Sequence, residues 1–255
     1  MYNIKKIKKM KTIFRSFIIS GLISMLFVGF SACEKNPPKE DDITYASILN
    51  VSDDGTSSLI DANLKSGIVE TGPLTDSELA ALQSLKEEEK LARDVYMMLY
   101  EKWGSPVFLN ISGAETNHLN AVNYLLSYYG EADTLIGAVG AFVNPAFTEL
   151  YNELLETGYE SLESAFRTGA LIEEMDIKDI RELYEVVTNE NIIMVFDNLE
   201  RGSRNHLRAF NRQLTSLGVS YEPRYISLSD FYSIVNSPNE RGKQYRMNGN
   251  CLLNQ

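Results

Sequence analysis

From Thr75 onward the apolar positions recur at alternating steps of three and four, the spacing that lines one side of an α-helix. Four stripes of this kind can be read off. They are Leu85, Glu89, Ala92, Tyr96 and Leu99; Ile111, Glu115, His118, Val122 and Leu125; Glu173, Asp176, Ile180, Leu183 and Val187; and Phe196, Leu199, Ser203, His206 and Phe210. Local signals bound the helices that carry them. Thr75 and Glu78 form a capping box, with Leu74 as the apolar staple before it, and open a helix over about 76–103 that stops at Gly104. The second helix is expected over about 112–129, ending at Gly130. The third is expected over about 161–187, with a break near Gly169, and the fourth over 190–217, capped by Asn189 and ended by Gly218.

The connections constrain how these helices pack. Short turns join the first to the second and the third to the fourth, while a crossover over about 131–158, holding a short helix near 146–156, joins the pairs. Two helical hairpins linked by one long connection make the ferritin-like form of the all-α four-helix bundle. The bundle is expected to occupy 74–218. The tail, 219–255, should carry one short helix, capped by Ser227 with Asp230 three residues on, and pack on the bundle. Ahead of the bundle, the Asp54-Gly55 turn signal allows a small hairpin or an irregular arm.

The first 32 residues follow a different logic. Lys5, Lys6, Lys8, Lys9, Lys11 and Arg15 precede an apolar stretch from Phe17 to Phe30, followed by Ser31, Ala32 and Cys33. That is the layout of a secretory signal peptide, and the stretch is short for a membrane span. Cys33 after small residues is similar to the lipidation site of exported bacterial lipoproteins, although Phe30 stands where Leu is usual. The expectation is a signal peptide over 1–32 and a lipid-anchored tether and arm over 33–73, with the protein held on the periplasmic side or at the cell surface. Cleavage before Cys33 would leave 24 − 6 = 18 Lys and Arg against 35 Asp and Glu, a formal charge of −17. Such a charge repels nucleic acid and attracts cations. Cys251 is the second and last cysteine, and no CxxC pair exists, so neither a rubredoxin-type iron site nor a zinc ribbon can form.

The chemistry lies in the residues that interrupt the apolar stripes. A carboxylate on the inner face of a bundle is costly unless it is paired, protonated or metal-bound. Several carboxylates converging from different helices would repel one another, and a pair of divalent cations removes that repulsion. The chain has two histidines, His118 and His206, and both fall on these stripes, each in the second helix of its hairpin. Glu and His at i and i+3, as in Glu115 and His118, share one helical face. Glu88 also lies near the interior boundary, so Glu89 is chosen on its spacing to Ala92 and Tyr96, and Glu87 is read as solvated. In the third helix Glu174 or Asp179 remain alternatives to Glu173 and Asp176.

These residues carry a resemblance. Glu89, Ala92 and Tyr96 within EEEKLARDVY are similar to the first ligand helix of rubrerythrins, and Glu115-Thr-Asn-His118 to the E-x-x-H of their second. Glu173 and Asp176 sit where that family has two carboxylates one turn apart, and Ser203-Arg-Asn-His206 occupies the second E-x-x-H position. With ALIEEMDIKDI and GSRNHLRAF, the stretch over about 74–235 resembles the bacterial and archaeal ferritin-like group called domain of unknown function 2202. The resemblance implies a centre of two iron ions held by Glu89, Glu115, His118, Glu173, Asp176 and His206. Tyr96 would donate a hydrogen bond to a ligand. Ser203 stands beside the centre in place of a Glu, so either Asp176 compensates or one metal position is weak, occupied through water, or empty. Manganese and zinc are alternatives by donor type. The implied activity is a rubrerythrin-like oxidoreductase acting on peroxide, O2 or ferrous iron. The rivals are a metal-binding lipoprotein without turnover and an interaction module with a relic site. Metal ions and, through a lipid on Cys33, a membrane are the expected partners. A homodimer stays open, and the redox partner is unassigned.

Overall fold

The computed structural model describes residues 47–242; the expected leader, Cys33 and Cys251 lie outside them. Strands β1 (Leu49–Val51) and β2 (Ser57–Leu59) pair antiparallel, with Asn50 opposite Ser58. The Asp54-Gly55 signal forms the turn between them, where Gly55 takes φ 87° and the Asp54 carboxylate accepts the Thr56 amide. Helix α1 (Asp61–Gly67) follows, a seven-residue element that the apolar pattern is too short to announce. Then come α2 (Asp76–Trp103), α3 (Pro106–Tyr128), α4 (Pro145–Gly158), α5 (Leu162–Leu183), α6 (Glu190–Ser216) and α7 (Leu228–Val235). Helices α2 and α3 form one hairpin, α5 and α6 the other, and α4 lies in the crossover. The fold is an all-α four-helix bundle in the ferritin-like arrangement. Among the described residues, no helix is long and apolar enough to cross a membrane.

Local chemistry explains most of the boundaries. Thr75 and Glu78 make the capping box, and Gly104 closes α2 in the left-handed conformation at φ 65°. Glu78 has a second role: its other carboxylate oxygen accepts the amides of Thr188 and Asn189, tying the start of α2 to the start of α6. That contact pulls the chain out of helix before Asn189, so α5 ends at Leu183 instead of running on to Val187. Asn189 then caps α6 by accepting the Asn191 and Ile192 amides. Helix α3 begins at Pro106, six residues before the expected start. Proline is favoured in a first turn, where its missing N–H leaves no bond unmade. The Ser112 hydroxyl donates to the Leu109 carbonyl inside the helix. Helix α5 runs unbroken through Gly169, which serves packing: a Cβ there would meet the Phe210 ring at 2.5 Å.

The crossover folds back over the outer face of α2, and this changes the role of Glu87. Expected in solvent, its carboxylate is buried and accepts the Val143 and Asn144 amides. Beside it Lys86 pairs with Asp133, and the fully buried Lys90 pairs with Asp94 and donates to the Ala138 carbonyl. On the opposite hairpin, Glu174 accepts the Tyr221 hydroxyl and the amides of Arg224, Tyr225 and Ile226, which fastens the segment leading to α7. Glu174 is thereby committed to the tail.

The bundle interior is layered. At one end Leu82, Leu85, Val122, Leu125, Ile180, Val195 and Leu199 form an aliphatic layer, with the Phe196 ring packed among them. At the other, Tyr96, Phe108, Phe166 and Phe210 stack and tilt against one another at centroid distances of 5.3 to 6.4 Å. Between the two lies a polar layer of carboxylates and histidines.

A candidate metal centre

Each helix of the bundle contributes to that polar layer one turn away from apolar neighbours on its own stripe, so helical periodicity alone delivers the groups to one level. Glu89 comes from α2, Glu115 and His118 from α3, Glu173 and Asp176 from α5, and His206 from α6. Glu89, Glu115, His118, Glu173 and His206 are all at 0% exposure and Asp176 at 4%, so water screens none of them.

The ligand atoms of Glu89, Glu115, His118, Glu173 and His206 converge. His118 Nδ1 lies 2.9 Å from Glu89 Oε2 and 2.7 Å from Glu115 Oε2. His206 Nδ1 lies 3.0 Å from Glu115 Oε1 and 3.3 Å from Glu173 Oε2. The imidazole rings stack at 5.5 Å between centroids. Two groups that could hold a metal ion result, Glu89 with Glu115 and His118, and Glu115 with Glu173 and His206. Glu115 belongs to both, one oxygen toward each histidine. The Tyr96 hydroxyl donates to Glu173 Oε1 and also reaches the Gly169 carbonyl at 3.3 Å. The Ser203 hydroxyl is buried and donates to the Leu199 carbonyl of its own helix.

The protonation of the layer follows from burial and crowding. Burial, reinforced by Glu115, raises the Glu89 carboxyl to about 8 even against the pull of His118. Burial, then Glu173, Glu89, Glu115 and Glu88, pushes Asp176 well above the ordinary carboxylate value. Glu115 goes the other way: burial opposes its charge, but the two imidazoles outweigh it and hold the carboxyl below its ordinary value. Burial alone would depress both histidines; Glu115 and Glu173 instead raise His206 to about 9, and Glu89 and Glu115 raise His118 well above its usual value. In this state imidazolium protons supply the positive charge that the carboxylates demand.

Hydrogen bonding does not complete the layer. Glu89 Oε1, both Glu115 oxygens, Glu173 Oε2, Asp176 Oδ2, His118 Nε2 and both His206 nitrogens are buried without a hydrogen-bond partner among the described residues. Several of these atoms lie within ion-pair distance of each other yet are not aligned to share a proton. Native interiors leave few buried polar atoms unpaired, so a cluster of them calls for a specific explanation. Carboxylate oxygens and imidazole nitrogens crowded around two points fit, once the imidazoles lose their protons, divalent cations of the iron, manganese and zinc kind.

The remaining candidates lie outside these two groups. Glu88 is buried, with Ser84 donating to it, and Asp179 pairs with Lys178. Sequence reasoning did not single out Gly202, at which an added Cβ would lie 2.5 Å from His118 Nε2. A glycine in the turn before a site histidine was the available signal.

Comparison with known proteins places the chain without naming an activity. It is 44% identical over 171 residues to an uncharacterized protein of Methanocaldococcus jannaschii, a match covering 67% of this chain and 92% of that one. The crystal structure of a hypothetical protein from Methanococcus jannaschii superposes with a TM-score of 0.66 at 42% identity, covering 68% of this chain and 99% of the other. The family model for an uncharacterized protein domain, DUF2202, matches residues 78–238, which hold the polar layer and all four bundle helices, and the chain belongs to that family.

Proposed function

We propose that the polar layer is a two-metal centre, iron in its native form, and that the protein is an exported, lipid-anchored oxidoreductase acting on peroxide, O2 or ferrous iron. One observation carries the metal assignment: Glu115 directs one oxygen at each of two histidines, and each histidine has a further carboxylate of its own. A shared carboxylate between two Glu/His pairs is the donor pattern that two adjacent cations need. Glu89 and His118 would hold one ion, Glu173 and His206 the other, and Asp176 lies within electrostatic reach of Glu89, Glu115 and Glu173. Two iron ions would supply the two electrons that reduce peroxide to water.

The chain's own residues would prepare this chemistry. The aliphatic and aromatic layers exclude bulk water, which strengthens every charge interaction inside. Tyr96 fixes Glu173 through its hydroxyl and can hold a proton at that oxygen. Export rests on the basic segment, apolar stretch and Cys33 at the N-terminus.

Ser203 favours a second reading, metal capture without turnover. Its hydroxyl is bonded to its own helix, so α6 offers no carboxylate opposite Glu115. Metal analysis of protein purified without chelator, followed by peroxide- and O2-driven oxidation of added ferrous iron, decides among these. Two irons per chain with turnover support the oxidoreductase, two irons without turnover support capture, and no metal under any loading condition refutes both.

A further inference from the structure

His118 is held differently from a usual metal-binding histidine. Such a residue ordinarily donates its rear N–H to a carboxylate or carbonyl, which fixes ring and tautomer. Here Nδ1 faces Glu89 and Glu115, while Nε2 is buried without a hydrogen-bond partner among the described residues. What stands behind the ring is the backbone of α6 at Gly202. A Cβ built there would lie 2.5 Å from Nε2 and 2.7 Å from Cε1, closer than real Cβ contacts allow. The ring is at 0% exposure, so any displacement takes place inside the bundle. A methyl group at 202 therefore has to push the imidazole toward the carboxylates or push α6 away from α3.

We propose that Gly202 is a positioning residue for the centre: the missing side chain is the seat of the His118 ring, and backbone packing replaces the absent hydrogen bond in aiming Nδ1. The reason for glycine here is close approach, since Gly202 lies in the middle of α6 with ordinary helical backbone. In a helix interior, glycine is otherwise less favourable than alanine, so Gly202→Ala would stabilise the helix if nothing stood in its way. Its effect thus has opposite signs with and without the imidazole.

This inference rests on the two-metal reading for its effect on binding, but the contact itself can be tested without metal. Apo thermal unfolding is measured for wild type, Gly202→Ala, His118→Ala and the double variant, and anaerobic ferrous iron binding for wild type and Gly202→Ala. We expect Gly202→Ala to lower the apo melting temperature, or prevent folding, in the wild-type background, and to raise it or leave it unchanged when His118 is already alanine. Iron stoichiometry should drop from two to one per chain in Gly202→Ala, with the ion at Glu115, Glu173 and His206 retained. Equal destabilisation in both backgrounds, or two irons retained in Gly202→Ala at unchanged affinity, overturns the proposal. If wild type binds no iron, the two-metal reading fails, and the cycle still decides whether Gly202 seats His118.

Discussion

Loading the centre at neutral pH should release protons, and the number follows from the site. Glu89, raised to about 8, and His206, raised to about 9, are both largely protonated at pH 7 in the metal-free protein. A metal ion needs the carboxylate ionised and the imidazole neutral, so these two groups alone give up about two protons on binding. His118, raised well above its usual value by Glu89 and Glu115, and Asp176, raised by burial and the carboxylates around it, can only add to that count. Each proton released makes binding tenfold tighter per pH unit, so the overall constant should climb at least about a hundredfold per unit below pH 8. The slope should slacken as pH passes about 8 and then about 9. The same protons set the stability of the metal-free form. Both folded values lie above the ordinary 4.5 and 6.5, so the stability linked to them is complete below those ordinary values. It declines as pH rises and is gone once pH exceeds the folded values, which makes the apo protein weaker at pH 9.5 than at pH 6. Anaerobic calorimetric titration with ferrous iron, in buffers of different ionisation enthalpy, counts the protons directly. Binding with no proton release, or with an affinity flat from pH 6 to 8, would refute the account of how the layer is charged.

Three further outcomes follow from the geometry. Glu115→Ala removes the carboxylate common to both groups and should abolish binding of both ions, whereas Glu89→Ala should cost one; metal analysis of the two variants side by side checks the sharing. Ser203→Glu places a carboxylate one turn before His206 and should bind the more weakly held of the two irons more tightly, with little change in melting temperature. Loss of both iron and stability would instead mean that the buried space at Ser203 cannot take the larger charged side chain. Cys33→Ser should release the protein from the membrane fraction, and unchanged membrane association would dismiss the lipid anchor.

The four interior stripes were legible in the sequence because a helix repeats its inward face with a fixed period, whatever the helix packs against. Leu85, Glu89, Ala92, Tyr96 and Leu99 share a face by spacing alone, and in the structure all five are fully buried. The same holds for the α3 and α6 stripes. Elements set by contacts between distant segments were not legible. The end of α5 depends on Glu78, more than a hundred residues earlier, taking the Thr188 and Asn189 amides. Glu87 looked solvated because nothing local says that residues 143 and 144 fold back to donate their amides to it.

The run Glu87-Glu88-Glu89 shows the difference at single-residue scale. Three identical side chains on consecutive positions of one helix turn by about a hundred degrees each, so they cannot share an environment. Glu87 binds crossover amides, Glu88 accepts from Ser84 and is raised by burial and Asp179, and Glu89 enters the buried carboxylate–histidine layer. Composition makes the run look like a solvated charge patch, while periodicity assigns the third residue to the interior. Gly202 is the converse case. Its role lies in an atom that is absent, and the one sequence signal is a glycine in the turn before His206. What points to it is the 2.5 Å between a Cβ built there and His118 Nε2, which leaves no room for a side chain beside the ring as it stands. A family member that keeps every candidate ligand but carries alanine at this position should therefore hold one ion fewer, unless its α3 and α6 have moved apart.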